Sequence, residues 1–190
     1  MRKIAILASG GGTLAEAIFE AVDKNALACT IEALICDKTD APVIERARRY
    51  NIPVHLHPMK QDRQQWNREL LRYLQSLDLD LVVSAGFMRI LDQSITSSFP
   101  IINSHPALLP LFPGAYAVRD ALAAGATKTG TTIHWVDAGV DTGEVIAQAE
   151  LDIAPDDNEE SLHERIKILE RSLIVATIEQ LLSTMENGRS

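Results

Sequence analysis

Short apolar runs rich in β-branched residues alternate along this chain with longer stretches whose apolar residues recur at helical spacing. This alternation constrains the fold most. A strand that is apolar on both faces must be covered on both, and helices in the connections do that in a parallel sheet. The pattern predicts strands at Lys3–Ala8, Thr30–Cys36, Val54–His57, Leu79–Ser84, Ile101–Asn103, Thr131–Val136 and Val145–Leu151. Helices are expected at Thr13–Asp23, Ala41–Tyr50, Gln61–Leu77, Ala117–Ala124 and Glu159–Met185. Only Asp137–Gly143 separates the last two strands, too short for a right-handed crossover, so one of them is expected to run antiparallel. The expected fold class is α/β: a single open, mostly parallel twisted sheet of about seven strands with helices on both faces, Rossmann-like, with one antiparallel strand near the C-terminal part. Ligands then belong at the carboxyl ends of the strands.

The 190 residues contain no repeat, low-complexity tract or long linker, and one domain spanning 1–190 is expected. No run approaches the roughly 18 apolar residues of a membrane span. The opening MRKIAILASGGG reads as a first strand and not as a signal peptide. A cytoplasmic location without a membrane partner is the expectation. Cys29 and Cys36 lack metal-site spacing and are expected to be reduced and structural, and no bound metal is expected. A formal charge of −8 argues against a nucleic-acid partner, because that affinity rests on Lys and Arg neutralising phosphates. An anionic small-molecule substrate would have to be held by local devices.

One such device is Ser9-Gly10-Gly11-Gly12-Thr13, directly between the first strand and the first helix. Glycines let the backbone approach an oxyanion, and free N–H groups at a helix start point at it. Thr13 is a candidate helix cap and hydroxyl donor. Gly10-x-Gly12-x-x-Ala15 also fits the loose dinucleotide fingerprint, with Asp37 as the acid that would hold a ribose. A purely structural turn is a third reading. The loop indicates a phosphate without saying which.

The most informative segment is Asn103-Ser104-His105-Pro106-Ala107-Leu108-Leu109-Pro110. Residues two apart on a strand share a side, so Asn103 and His105 can aim an amide and an imidazole at one point. The glycines of the Asp137–Gly143 loop permit turns that bring Asp141 back toward them. Such a set suits acyl transfer in which the nucleophile is the substrate's own amine. Asn103 and a protonated His105 would stabilise the tetrahedral oxyanion. Asp141 would orient the ring and favour its charged form, and the pair would relay the amine's proton. Each residue also has a bland reading. A histidine beside proline is often a packing residue, an aspartate in a glycine-rich turn is often a turn former, and Asn103 could serve backbone alone.

These segments, with Phe112-Pro113-Gly114, Asp137-x-Gly139-x-Asp141-Thr142-Gly143 and Ala85-Gly86-Phe87-Met88-Arg89-Ile90-Leu91, resemble in order and spacing the folate-dependent formyltransferase family. The resemblance runs from the first strand to about Leu182 and is far more specific than the glycine loop. It implies transfer of the formyl group of 10-formyltetrahydrofolate, as co-substrate, to the amine of glycinamide ribonucleotide in de novo purine (IMP) biosynthesis. It implies Asn103, His105 and Asp141 as catalytic residues. Folate would bind Arg63, Met88, Arg89, Ile90, Leu91, Asn103, Asp137, Ala138, Gly139, Val140 and Asp141. Glycinamide ribonucleotide would bind Gly12, Thr13, Leu14 and Glu170. A flat pteridine with donors and acceptors along one edge suits loop backbone beside apolar side chains. Arg63 could meet the folate's glutamate tail, although an arginine on an amphipathic helix is often merely solvated. Glu170 likewise sits in a helix rich in ion-pair spacings.

The sequence departs from the family at several points. Thr13 and Leu14 stand where Ser and Asn are common, Ala115–Val118 replaces a segment that often holds histidines, and Arg171 and Val175 replace a common His and Pro. These differences touch the acceptor side more than the folate side. Alternatives are a formyltransferase for another amine (an amino-sugar nucleotide or methionyl-tRNA), a non-catalytic nucleotide-binding module, and a nicotinamide dehydrogenase. A tRNA enzyme should carry a basic C-terminal domain, which this acidic chain does not show. Monomer and homodimer are both open.

Overall fold

The computed structural model describes residues 1–187. Strands β1 (Arg2–Ala8), β2 (Cys29–Cys36), β3 (Val54–Leu56), β4 (Leu81–Ser84), β5 (Ile101–His105), β6 (Lys128–Trp135) and β7 (Val145–Asp152) form one seven-stranded sheet ordered β3-β2-β1-β4-β5-β6-β7. Strands β1 to β5 are parallel, and β6 is antiparallel to both neighbours. The expected reversed strand is therefore β6. The helices are α1 (Thr13–Asp23), α2 (Val43–Arg49), α3 (Arg63–Gln75), α4 (Gln93–Thr96), α5 (Ala117–Ala123) and α6 (Glu159–Asn187).

Strand pleating divides the interior into two cores. Ile4, Ile6, Val83 and Ile102 pack beneath α1, α2 and α6, with Ile18, Ile44 and Ile174 among their partners. Ala5, Leu7, Val82 and Ile101 pack on the opposite face beneath α3, against Trp66, Leu70 and Leu74. Each large side chain so buried contributes about 1.5–3 kcal/mol, which is why the near-continuous apolar strands take the centre of the sheet. From β1 the chain builds outward to β3, then crosses back to β4. The crevice at the carboxyl ends of β1 and β4 is thus the topological switch point.

Local chemistry sets the element ends. The Asp62 carboxylate accepts the Gln65 N–H at 2.9 Å and starts α3 at Arg63, two residues later than expected. Helix α4 was not anticipated. It has only four residues, capped by Asp92, and is too short for a periodic signal. Strand β5 continues to His105 because β6 extends the ladder beside it, with Thr132 opposite His105. The fully buried Trp66 of α3 donates Nε1–H to the His57 carbonyl at 3.1 Å, and His57 Nε2 donates back to the Trp66 carbonyl at 2.9 Å. This reciprocal pair fixes the start of α3, where the Arg63 guanidinium lies 4.6 Å from the Trp66 ring centroid.

Both cysteines are free and buried. Burial pushes the Cys29 thiol up to about 11 and raises Cys36 as well. A thiol-reactive chromophore at pH 8 is expected to leave both unlabelled in the native protein and to titrate both after denaturation. Rapid native labelling of either would contradict this packing.

Candidate active site

The loop after β1 and the loop after β4 meet at the switch point. Ser9 N–H donates to the Gly86 carbonyl at 3.1 Å, and Ser9 Oγ accepts the Met88 N–H at 2.9 Å. Gly12 is the N-cap of α1, with φ of 74°. A β-carbon there would lie 2.3 Å from Val43 Cγ2, so only glycine fits. Thr13 is the first helical residue and makes no side-chain cap, contrary to the capping role considered for it. Among the described residues the N–H groups of Gly11, Gly12 and Thr13 have no protein acceptor. Leu14 turns its side chain to the core and leaves only backbone for a ligand.

The segment after β4 presents Met88 and Ile90, 67% and 63% exposed, while Leu91 is buried. Arg63 donates a guanidinium N–H to the Ile90 carbonyl, joining two predicted folate contacts. Arg89 donates Nε–H to Asp37 Oδ2 at 2.5 Å. That pairing, with the Asp37 side chain wholly buried, removes Asp37 as the exposed ribose acceptor a dinucleotide site would need. Asp137, Ala138, Gly139 and Val140 form an exposed turn. Asp137 accepts the Thr142 hydroxyl at 2.8 Å and the Gly139 N–H at 2.9 Å, and these bonds, the Thr142 one foremost, hold its carboxyl below the ordinary range.

Asn103 and His105 share one face of β5, and the Asp137–Gly143 loop folds back over it. The return is tight: a β-carbon on Gly143 would lie 1.7 Å from the Trp135 carbonyl oxygen, and Asp141 itself has φ of 54°. Asp141 Oδ2 accepts the Gly114 N–H at 2.8 Å and lies 3.3 Å from His105 Nδ1. Its Oδ1 lies 3.5 Å from Nε2 of His134. The contact with His134 is the largest cause of a lowered Asp141 pKa, with further help from Gly114 and His105 against the opposing effect of burial. The carboxylate is therefore anionic at neutral pH. Nε2 of His105 donates to the Phe112 carbonyl at 2.8 Å, since a carbonyl can only accept. Nδ1, beside the carboxylate, is the nitrogen left for proton transfer.

His134 is the participant sequence reasoning missed. It lies directly opposite Asn103 in the β5–β6 ladder, and Asn103 Nδ2 is 3.2 Å from its Nε2. Nδ1 of His134 donates to the Trp135 carbonyl at 2.9 Å, which leaves its Nε2 facing both the Asn103 amide and the Asp141 carboxylate. The Asn103 amide has a hydrogen beyond this contact for a ligand. The sequence shows only that His134 lies on a predicted strand; that it faces Asn103 is set by the β5–β6 register. Thr132 and Gln148 were also missed. Thr132 Oγ1 bonds the Ala107 carbonyl and the Leu109 N–H at 2.7 and 3.0 Å, and Gln148 bonds the Leu109 carbonyl at 2.9 Å, so β6 and β7 hold the segment leaving His105.

Glu170 lies behind this face. It is 7% exposed, and Ser104, on the opposite side of β5, donates Oγ–H to its Oε1 at 2.7 Å. Burial raises its carboxyl pKa above the ordinary range.

An anion-ready loop beside an amide, an imidazole and a carboxylate, with the substrate left to supply the nucleophile, defines an acyl-transfer centre on an open α/β sheet. Comparison with known proteins narrows this class. The family model described as Formyl transferase matches residues 2–178, and the chain belongs to that family. It is 36% identical over 192 residues to the phosphoribosylglycinamide formyltransferase of Bacillus subtilis, covering 99% of this chain and 98% of that one. It is 41% identical over 186 residues to the protein of the same name from Mycobacterium tuberculosis, covering 94% and 84%. The crystal structure of phosphoribosylglycinamide formyltransferase from Bacillus halodurans superposes with a TM-score of 0.93 at 39% identity, covering 98% of both chains.

The buried Glu170 has a stability consequence with a definite sign. A carboxyl whose folded pKa is raised contributes stability below the ordinary carboxylate range and loses it as pH rises through the raised value. Glu170→Gln keeps an acceptor for Ser104 and removes the buried charge. Its melting temperature should exceed wild type by a few degrees at pH 7.5, and the gap should close near pH 4. An equal or lower value at pH 7.5 would refute this account.

Proposed function

We propose that this chain transfers the formyl group of 10-formyltetrahydrofolate to the amine of glycinamide ribonucleotide, giving formylglycinamide ribonucleotide and tetrahydrofolate in de novo purine synthesis. It would do so as a single domain in the cytoplasm. The observation that carries the reading is the contact of Asp141 with both His105 and His134, the latter bonded to Asn103. The near full-length similarity to proteins named for this reaction supports the acceptor.

The folate would lie along Arg63, Met88–Leu91 and the Asp137–Asp141 turn, with its formyl group over Asn103. The acceptor's phosphate would take the N–H groups of Gly12, Thr13 and Leu14. Glu170, one oxygen of which is already held by Ser104, would meet the ribonucleotide with the other. As the acceptor nitrogen attacks the formyl carbon, a C–N bond forms and the carbonyl oxygen gains negative charge. The free Asn103 amide hydrogen and the proton on His105 Nδ1 stabilise that oxygen. Asp141, anionic and fixed by Gly114, holds the imidazolium and accepts the amine's proton directly or through water. Cleavage of the bond to folate N10 then returns the electron pair and a proton to that nitrogen.

Purified protein mixed with the two substrates should release tetrahydrofolate stoichiometrically with formylated acceptor. Asp141→Asn and His105→Ala should each lower kcat by about 10²- to 10³-fold with little change in either KM, as loss of a transition-state contact does. A near-normal kcat in either variant would reject the mechanism. The acidic limb of the rate profile should follow protonation of the acceptor amine, because Asp141 stays ionised below that range. Replacing the acceptor by one of different amine pKa should move the limb accordingly.

A further inference from the structure

We infer that Arg46 of α2 is a positioning residue for the acceptor phosphate, although it belongs to none of the segments that resemble the family's site. The inference rests on the proposed phosphate role of the glycine loop. Three successive carbonyls of that loop are taken. Val43 N–H donates to Gly10 O at 3.2 Å, Arg46 Nε–H donates to Gly11 O at 2.7 Å, and Glu16 N–H donates to Gly12 O at 2.8 Å. In a planar trans peptide the C=O and the following N–H point in opposite directions. Turning the Gly10 and Gly11 carbonyls toward α2 therefore turns the Gly11 and Gly12 N–H groups away from it. No heavy atom lies within 4 Å of where a β-carbon on Gly10 or Gly11 would stand, so the backbone there is open to a ligand. The Val43 bond comes from backbone, but the Gly11 bond depends on one side chain.

The same guanidinium answers a charge problem. Glu16 stands in the first turn of α1, where its carboxylate would repel a bound phosphate dianion. Arg46 donates a second N–H to Glu16 Oε2, and Arg49 lies 3.2 Å from Oε1. The three side chains together carry one net positive charge beside the loop, in a chain whose formal charge is −8. An arginine can bridge carbonyl and carboxylate at once because its donors are fixed in a fork. Lysine keeps the charge and three N–H donors but carries them on one nitrogen without the fork, so it fits the two acceptors less well.

The test compares wild type, Arg46→Gln and Arg46→Lys with glycinamide ribonucleotide, with its dephosphorylated riboside, and with inorganic phosphate as competitive inhibitor. For Arg46→Gln the KM for the ribonucleotide and the Ki for phosphate should rise together by about tenfold or more, as expected for losing a charge-assisted orienting contact. Its kcat, its folate KM and its kcat/KM for the riboside should stay within about twofold of wild type, a split that general loss of structure would not produce. Arg46→Lys should fall between the two and melt within a few degrees of wild type, which keeps the test valid if the glutamine variant folds poorly. Unchanged phosphate Ki and ribonucleotide KM in both variants would overturn the proposal. So would a parallel fall in all parameters. If wild type neither prefers the ribonucleotide over the riboside nor binds phosphate, the phosphate reading of the loop fails with it, a result distinct from an effect confined to Arg46.

Discussion

The carboxylate of Asp141 is the point where the candidate site is tied together. One oxygen accepts the Gly114 N–H and approaches His105, and the other approaches His134, itself bonded to Asn103. Three segments, around His105, Gly114 and His134, thus converge on one anion carried by a fourth. A hydrogen bond to a charged group is worth about 1.5–3 kcal/mol, so the convergence is strong enough to hold Asp141 at positive φ, a backbone state that costs a non-glycine residue roughly 1–3 kcal/mol. The lowered pKa of this carboxyl follows from the same contacts, His134 first. Removing the anion would leave each imidazole without its carboxylate contact, His105 held by the Phe112 carbonyl and His134 by the Trp135 carbonyl.

The acidity of the chain bears on how the glycine loop proposed to hold phosphate is built. With a formal charge of −8, long-range attraction would not gather the proposed anionic acceptor, and its recognition would fall to groups effective over a few ångströms. Backbone N–H groups are such donors. They carry no counter-charge to be neutralised elsewhere, but they must be pointed, and in a glycine-rich loop nothing intrinsic points them. Packing against α2 supplies the direction. The close approach of Gly12 to Val43 and the bonds from Val43 and Arg46 turn the loop's carbonyls inward.

Much of this architecture was legible in the sequence, and the illegible part has definite causes. The strand–helix alternation gave the sheet and its covering helices because burial on both faces writes a continuous apolar run. The reversal near the end followed from the length of a seven-residue connection, Asp137–Gly143. Asn103, His105 and Asp141 were reachable as candidates, but their meeting was not, since it depends on a loop path that no spacing encodes. His134 escaped because a histidine on an apolar strand carries no mark of its partner, which is fixed by the β5–β6 register. Thr132 and Gln148 escaped for the same reason. Helix α4 is too short to show a period.

The antiparallel strand explains why this site differs from a nucleotide crevice of a wholly parallel sheet. In a parallel sheet functional groups come chiefly from loops at the strands' carboxyl ends. Here β6 runs the other way beside β5, which sets His134 against Asn103 and Thr132 against His105 within the ladder itself. Groups held by paired strands keep their geometry better than groups on free loops. The reversal also sends the chain out of β6 near Ile101, where Val136 N–H bonds the Ile101 carbonyl at 2.8 Å, so the next loop must return across the same face and carries Asp141 over the two histidines. Ser104, on the other side of β5, meanwhile reaches Glu170 of α6. A single strand with a reversed neighbour therefore joins the acyl-transfer face to the helix that would meet the acceptor.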